Sequence, residues 1–107
     1  MSGPYVMLAP IVLKDGLDER TLIAASDAFQ SAFAGRQPGI EKRLLLRAQD
    51  GTYADLVFFT SKEAADRVVE AEMKSEACFD YFKIMEIPEG VSPEESVLRF
   101  EHVKTYE

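Results

Sequence analysis

Pro38-Gly-Ile-Glu-Lys-Arg-Leu-Leu-Leu-Arg-Ala-Gln-Asp-Gly-Thr-Tyr-Ala-Asp-Leu-Val-Phe-Phe-Thr-Ser-Lys-Glu-Ala-Ala-Asp-Arg-Val-Val-Glu70 reads as strand, tight turn, strand and capped helix. Asp50-Gly51 between two β-prone runs signals a hairpin closed by a two-residue turn, whose central positions both need φ > 0. Ser61 stands where a helix N-cap belongs, able to accept an orphan backbone N–H, and Glu63 falls in the electropositive first turn. With Asp50 and Gly51 as the turn, Leu46 faces Asp55, Leu44 faces Val57 and Arg43 faces Phe58. Directly opposed residues share a face. One face then carries Ile40, Leu44, Leu46, Val57 and Phe59, with Lys42 and Asp55, and suits helix packing. The other carries Arg43, Leu45, Arg47, Ala54, Leu56 and Phe58, too apolar to be plain solvent surface. A change of one residue in the loop would exchange the two faces.

Upstream of the hairpin, Tyr5 to Leu13 is β-prone and apolar at almost every position, as in a strand covered on both faces. Pro10 has no N–H, which assigns the strand an edge, a bulge or one unpaired position. From Glu19 to Ala34, Leu22, Ala25, Phe29 and Phe33 recur at three- and four-residue steps, an amphipathic helix that Asp18 or a neighbour can cap. Gly35 fits its C′ position, and Pro38 forbids continuation. Downstream, the helix after Ser61 is expected to reach about Glu72 and to bury Ala65 and Val68. Ser75 caps a further helix with a Cys78, Phe82, Met85 stripe and Tyr81 beside it. Ile87 to Ser96 is a turn-rich connector, and Val97 to Tyr106 alternates as a half-exposed terminal strand. The order β-α-β-β-α-(α)-β is a split βαβ of the ferredoxin-like type, α+β, in a single domain over residues 1–107. Two long helices cover one face of a four-stranded antiparallel sheet, and the chain has no element for the other. A second copy of the sheet, in a two-fold homodimer, is the economical cover.

Composition narrows the partners. The chain carries 19 acidic and 12 basic residues, a formal charge of −7, so a phosphate backbone is repelled and nucleic acid is not expected. No apolar run is long enough to cross a membrane. One cysteine and one histidine supply neither a disulfide framework nor a metal cluster, and Met1 to Tyr5 lacks the basic start of a signal peptide. A cytoplasmic location is expected.

Gln37-Pro-Gly-Ile40, the Arg43 to Arg47 run, and Asp50-Gly-x-Tyr-x-Asp-Leu-Val-x-Phe-x-Ser-x-Glu-Ala-Ala65 resemble the antibiotic-biosynthesis-monooxygenase-like branch of the dimeric α+β barrel superfamily. Ser75-x-x-Cys78-x-x-Tyr81-Phe82 and the terminal strand follow in the expected order. The resemblance implies two sheets facing each other in a dimer, with a small-molecule cavity. It also implies activities such as cofactor-independent oxygenation of aromatic phenols, quinol oxidation or haem degradation. The haem-degrading arrangement needs a Trp, a His and an Asn. This chain has neither Trp nor Asn, and Phe59 stands where other members carry a Trp before the helix cap.

Candidate site residues follow from their chemistry. His102 has the side chain whose ordinary pKa lies nearest neutrality, so it is a candidate base. Asp55, among apolar neighbours, is the second, unless an Arg pairs with it. Arg43 can hold an anion, while Phe58, Tyr81 and Tyr53 can stack on a ring. Each has a bland counterpart: a solvated His, a paired Arg, aromatic core residues. The expectation is a cofactor-free, metal-free cavity for a small aromatic molecule, bordered by Arg43 and Phe58, with Phe59 under the helices. A monooxygenase of an electron-rich aromatic or quinol is the leading function. A non-catalytic binding or stress-response dimer and an isomerase or lyase are the alternatives.

Overall fold

A computed structural model describes residues 4–87 and 96–107. Strands β1 (Tyr5–Ile11), β2 (Ile40–Arg47), β3 (Tyr53–Phe59) and β4 (Leu98–Glu101) form an antiparallel sheet in the order β2-β3-β1-β4. Helices α1 (Glu19–Ala32), α2 (Lys62–Glu72) and α3 (Glu76–Phe82) complete the ferredoxin-like α+β fold. The expected connector from Ile87 to Ser96 lies mostly outside the described residues.

Local chemistry sets the helix starts. Asp18 Oδ1 accepts from the Thr21 N–H at 3.0 Å, Ser61 Oγ from Ala64 at 3.0 Å, and Ser75 Oγ from Cys78 at 3.4 Å. Helix α1 stops two residues earlier than its apolar stripe suggests. A 3₁₀ turn over Ala34–Arg36 follows, and Gly35 does not take the left-handed conformation expected of a C′ glycine. Its value is space: a Cβ there would stand 2.8 Å from the Gln30 carbonyl oxygen.

The hairpin departs from expectation in its loop. Only Gly51 has positive φ, at 88°, and the Ala48 N–H donates to the Thr52 carbonyl at 2.8 Å. The loop is therefore Gln49-Asp50-Gly51, three residues, a turn ending in a left-handed glycine. Asp50 takes no strained backbone. Its Oδ1 instead accepts from the Thr52 N–H at 2.9 Å and hydroxyl at 2.6 Å. That extra residue moves the register by one: Arg43 opposes Val57, Leu45 opposes Asp55 and Arg47 opposes Tyr53. The faces of β2 are exchanged relative to the sequence expectation, while those of β3 are as expected. Arg43 thus lies under the helices and Lys42 opposes Phe58. A bulge at Glu41 then brings Ile40 opposite Phe59, back on the helix face.

β1 is central, not an edge strand. Its pairing with β4 ends at Leu8 opposite Leu98, so Pro10 stands where β4 has already stopped. Tyr5, Met7 and Ile11 are buried toward the helices, together with Leu22, Phe29, Phe59, Ala65, Val68 and Tyr81. The opposite face carries Val6, Leu8, Leu56 and Phe58, half-buried, beside Leu44 at 41% and Phe100 at 49% exposure. Strand β4 is shorter than the alternation from Val97 to Tyr106 suggests. Beyond Glu101 the backbone keeps one further link, His102 N–H to the Pro4 carbonyl at 3.0 Å. Among the described residues no helix is long and apolar enough to cross a membrane.

Phe59 is 2% exposed, and its truncation to Ala should cost about 3–5 kcal/mol. Gly39→Ala should cost about 1–3 kcal/mol by a different route, because the new methyl would lie 2.8 Å from the Ala64 Cβ. Urea unfolding of both variants checks the two values, and Phe58→Ala, half-exposed on the open face, should lose less than Phe59→Ala.

Candidate functional site

Between the sheet and the helices lies a cavity of about 120 Å³. Its floor is Met7, Ala9 and Ile11 of β1 with Val57 and Phe59 of β3. Phe29 of α1, Val69 of α2, and Tyr81 and Phe82 of α3 form the opposite walls. Phe29 stacks on Tyr81 with ring centroids 4.7 Å apart, a pairing that joins α1 to α3. Glu72, Glu86 and Ser96 add polar groups to the lining.

Arg43 and Asp55 also line it, and they form the one ion pair among the described residues whose two side chains are both buried, at 8% and 9% exposure. Arg43 Nη2 lies 2.8 Å from Asp55 Oδ2 and donates to Ser26 Oγ at 3.0 Å, while Nη1 donates to Gln30 Oε1 at 2.9 Å. The Phe29 and Tyr81 ring centroids sit 4.9 and 5.9 Å from the guanidinium carbon. Arg43 Nε and Asp55 Oδ1 are buried without a partner. The pair is thus joined through one nitrogen and one oxygen, not as a two-armed guanidinium–carboxylate fork. Tyr81 donates its hydroxyl to Asp55 Oδ2 at 3.5 Å, a long contact. Burial, and then the Asp55 charge, push the Tyr81 phenol up to about 12. Burial likewise pushes the Cys78 thiol up to about 11, which suits an inert core side chain.

Three sequence candidates, Arg43, Asp55 and Tyr81, thus come together at one cavity. The other three do not. Phe58 stays on the open sheet face, as expected, under the Lys42 ammonium 4.5 Å from its ring centroid, but the longer loop exchanged the faces of β2 and carried Arg43 to the other side, so the two do not share the cavity. Phe59 lines the cavity in its place. Tyr53 sits at the hairpin's mouth near Glu19 and Arg47, where partial desolvation and the Glu19 charge raise its phenol. His102 is exposed, its Nε2 2.7 Å from Thr105 Oγ1, and it does not line the cavity. Sequence reasoning did not single out Ser26 and Gln30, which hold Arg43 from α1. A signal was present: Ser26 is a polar residue four positions after Leu22 and three before Phe29, inside the apolar stripe. Among the described residues no three His, Cys, Asp or Glu side chains gather as a metal site.

No family model and no curated sequence matches this chain. Solved structures do match it in fold. SnoaB, a cofactor-independent oxygenase from Streptomyces nogalater, aligns over 97% of both chains at 14% identity, with a TM-score of 0.65–0.66 in two crystal structures. A Caulobacter crescentus protein provisionally named an antibiotic biosynthesis monooxygenase aligns over 96% of this chain and 92% of its own, at 12% identity and TM-score 0.65. The haem-degrading protein Rv3592 of Mycobacterium tuberculosis aligns over 97% and 99%, at 20% identity and TM-score 0.62. The fold is that of the antibiotic-biosynthesis-monooxygenase-like proteins.

Breaking the buried pair from one side should be costly. Asp55→Ala leaves the Arg43 charge uncompensated and should lose about 3–5 kcal/mol, whereas the double variant Arg43→Met, Asp55→Leu should recover most of it. Chemical denaturation of the single and double variants checks this. Tyr81 gives a pH signature. Its folded pKa is raised from 10.0 to about 12, so the stability it contributes is full below 10 and is lost as pH rises toward 12. Tyr81→Phe should remove that part of the alkaline loss, which denaturation followed across the alkaline range checks.

Proposed function

We propose that this protein is a cofactor-independent monooxygenase of a small electron-rich aromatic or quinol, bound in the cavity between sheet and helices. The observation that carries the reading is the cavity itself: an apolar chamber with one buried guanidinium–carboxylate pair and a phenol on its wall. Aromatic and aliphatic walls exclude water and hold a ring, and a few placed polar groups orient it. The fold shared with a cofactor-independent oxygenase supports the same class of chemistry.

In this reading Asp55 is the proton acceptor, as the sequence suggested, and His102 has no part. In the resting site the Asp55 carboxylate is the counter-ion of Arg43. A bound phenol or quinol changes that balance. When its O–H breaks and the proton goes to Asp55, the substrate oxygen becomes the new anion beside Arg43, and the total charge of the three groups is unchanged. The electron-rich ring carbanion then reacts with O₂. For a ring methylene oxidised to a carbonyl, one oxygen atom enters the product and the other leaves as water with the two hydrogens. O₂ accepts all four electrons, and no other reductant is consumed. Tyr81, protonated across the neutral range by its raised pKa, stays a hydrogen-bond donor throughout.

A homodimer completes the proposal. Val6, Leu8, Leu44, Leu46, Leu56, Phe58, Leu98 and Phe100 make an apolar sheet face that none of the described helices covers, and a second copy of that face is its fitting cover. Light scattering should give twice 12.0 kDa at micromolar concentration, and Phe100→Asp should shift it to monomer. A cytoplasmic location belongs to the same reading.

Oxygen consumption decides between catalysis and binding. With a panel of single-ring quinols and phenols, purified protein should consume one O₂ per product, and Asp55→Asn should abolish turnover while Tyr81→Phe lowers it. Ala9→Leu, which fills the cavity floor, should remove both activity and binding. Saturable binding without O₂ uptake would instead favour the non-catalytic small-molecule-binding dimer.

A further inference from the structure

The charges around the cavity say what kind of molecule it accepts. Among the described lining residues the one cation, Arg43, has Asp55 as its counter-ion, and Glu86 adds a further carboxylate. The cation is also already paired. Three of its five N–H groups donate to Gln30, Ser26 and Asp55, and two aromatic rings approach the guanidinium. Its charge is met by Asp55 at 2.8 Å, and its Nε has almost no accessible surface. We infer that the cavity selects an uncharged ligand of about single-ring size and discriminates against anions, the opposite of what a lone arginine in the sequence suggests. The inference rests on the cavity being the small-molecule site.

Size and charge argue independently. A chamber of about 120 Å³ is close to the cavity of about 150 Å³ that holds benzene. It accommodates one ring with a short substituent, not a fused polycycle. An anion entering it would leave water to join a wall that is already net negative, with its counter-charge spent on Asp55. Desolvation is then not repaid. An uncharged hydroxyl compound avoids that cost, and on giving its proton to Asp55 it leaves the site's total charge as it was.

The test compares three molecules of one shape and different charge: benzyl alcohol, benzoate and benzylammonium. Each is titrated into the full chain at neutral pH and followed by chemical shifts of the cavity residues Met7, Val57 and Met85. Benzyl alcohol should bind at least about tenfold more tightly than benzoate. Glu86→Gln, an exposed substitution that removes one carboxylate from the lining, should narrow that gap by raising benzoate affinity alone. Benzoate binding as well as or better than benzyl alcohol would overturn the inference, and so would a clear preference for benzylammonium over the alcohol. Either result would leave the cavity established as the ligand site. If none of the three perturbs Met7, Val57 or Met85, the cavity is not a binding site, and the proposed function falls together with the inference.

Discussion

A guanidinium and a carboxylate taken out of water together are tolerated only when their geometry is good and their remaining hydrogen-bonding groups are served. Arg43 and Asp55 meet most of that condition through residues from four elements, with only Arg43 Nε and Asp55 Oδ1 left without a partner. Strands β2 and β3 bring the two charges face to face, α1 supplies Ser26 and Gln30, and α3 lays Tyr81 alongside. The pair therefore does more than sit in the cavity wall. It fixes how α1 and α3 lie on the sheet, because moving either helix would strip hydrogen bonds from a buried charge. The Phe29–Tyr81 stack reinforces the same junction from the apolar side. Cavity, helix packing and polar site are three aspects of one arrangement.

That arrangement depends in turn on a single residue of loop length. A two-residue turn would send Arg43 to the open face and leave Asp55 under the helices without its partner. The three-residue loop, with Gly51 left-handed and Asp50 holding Thr52, puts both charges on one side. An uncompensated buried carboxylate in the alternative register would cost several kcal/mol. The ion pair thus selects the register as much as the turn does.

What was readable in the sequence divides along the range of the interactions. Caps at Asp18, Ser61 and Ser75 form within three residues of themselves, and each stands where its side chain implied. The β-α-β-β-α-α-β order followed from hydrophobic periodicity, equally local. The faces of β2 were not readable, and the reason is specific. Leu44 and Leu46 on one side and Leu45 on the other are equally apolar, so the pattern could not correct an error made at the turn. The site was half legible for the same reason. Asp55 lies on β3, whose faces are as expected, Tyr81 is buried although its place was only beside the α3 stripe, and Arg43 was singled out for its chemistry but assigned the wrong side. His102 attracted attention as the sole histidine, yet chemistry without placement does not make a site: it lies past the last strand, exposed beside Thr105.

The shortness of β4 has a bearing on how anything reaches the cavity. This strand pairs with β1 over four residues, each exposed, and Arg99 anchors it to α2 through Asp66 at 3.0 Å. Ser96 and Val97, immediately before it, belong to the cavity lining. Elements with few buried contacts open at a fraction of the global unfolding free energy. Opening of β4 would draw two wall residues aside while Phe59, Met7 and the Arg43–Asp55 pair stay in place. The amides of β4 should accordingly exchange hydrogen faster than those joining β1 to β3, and that exchange would report on the doorway.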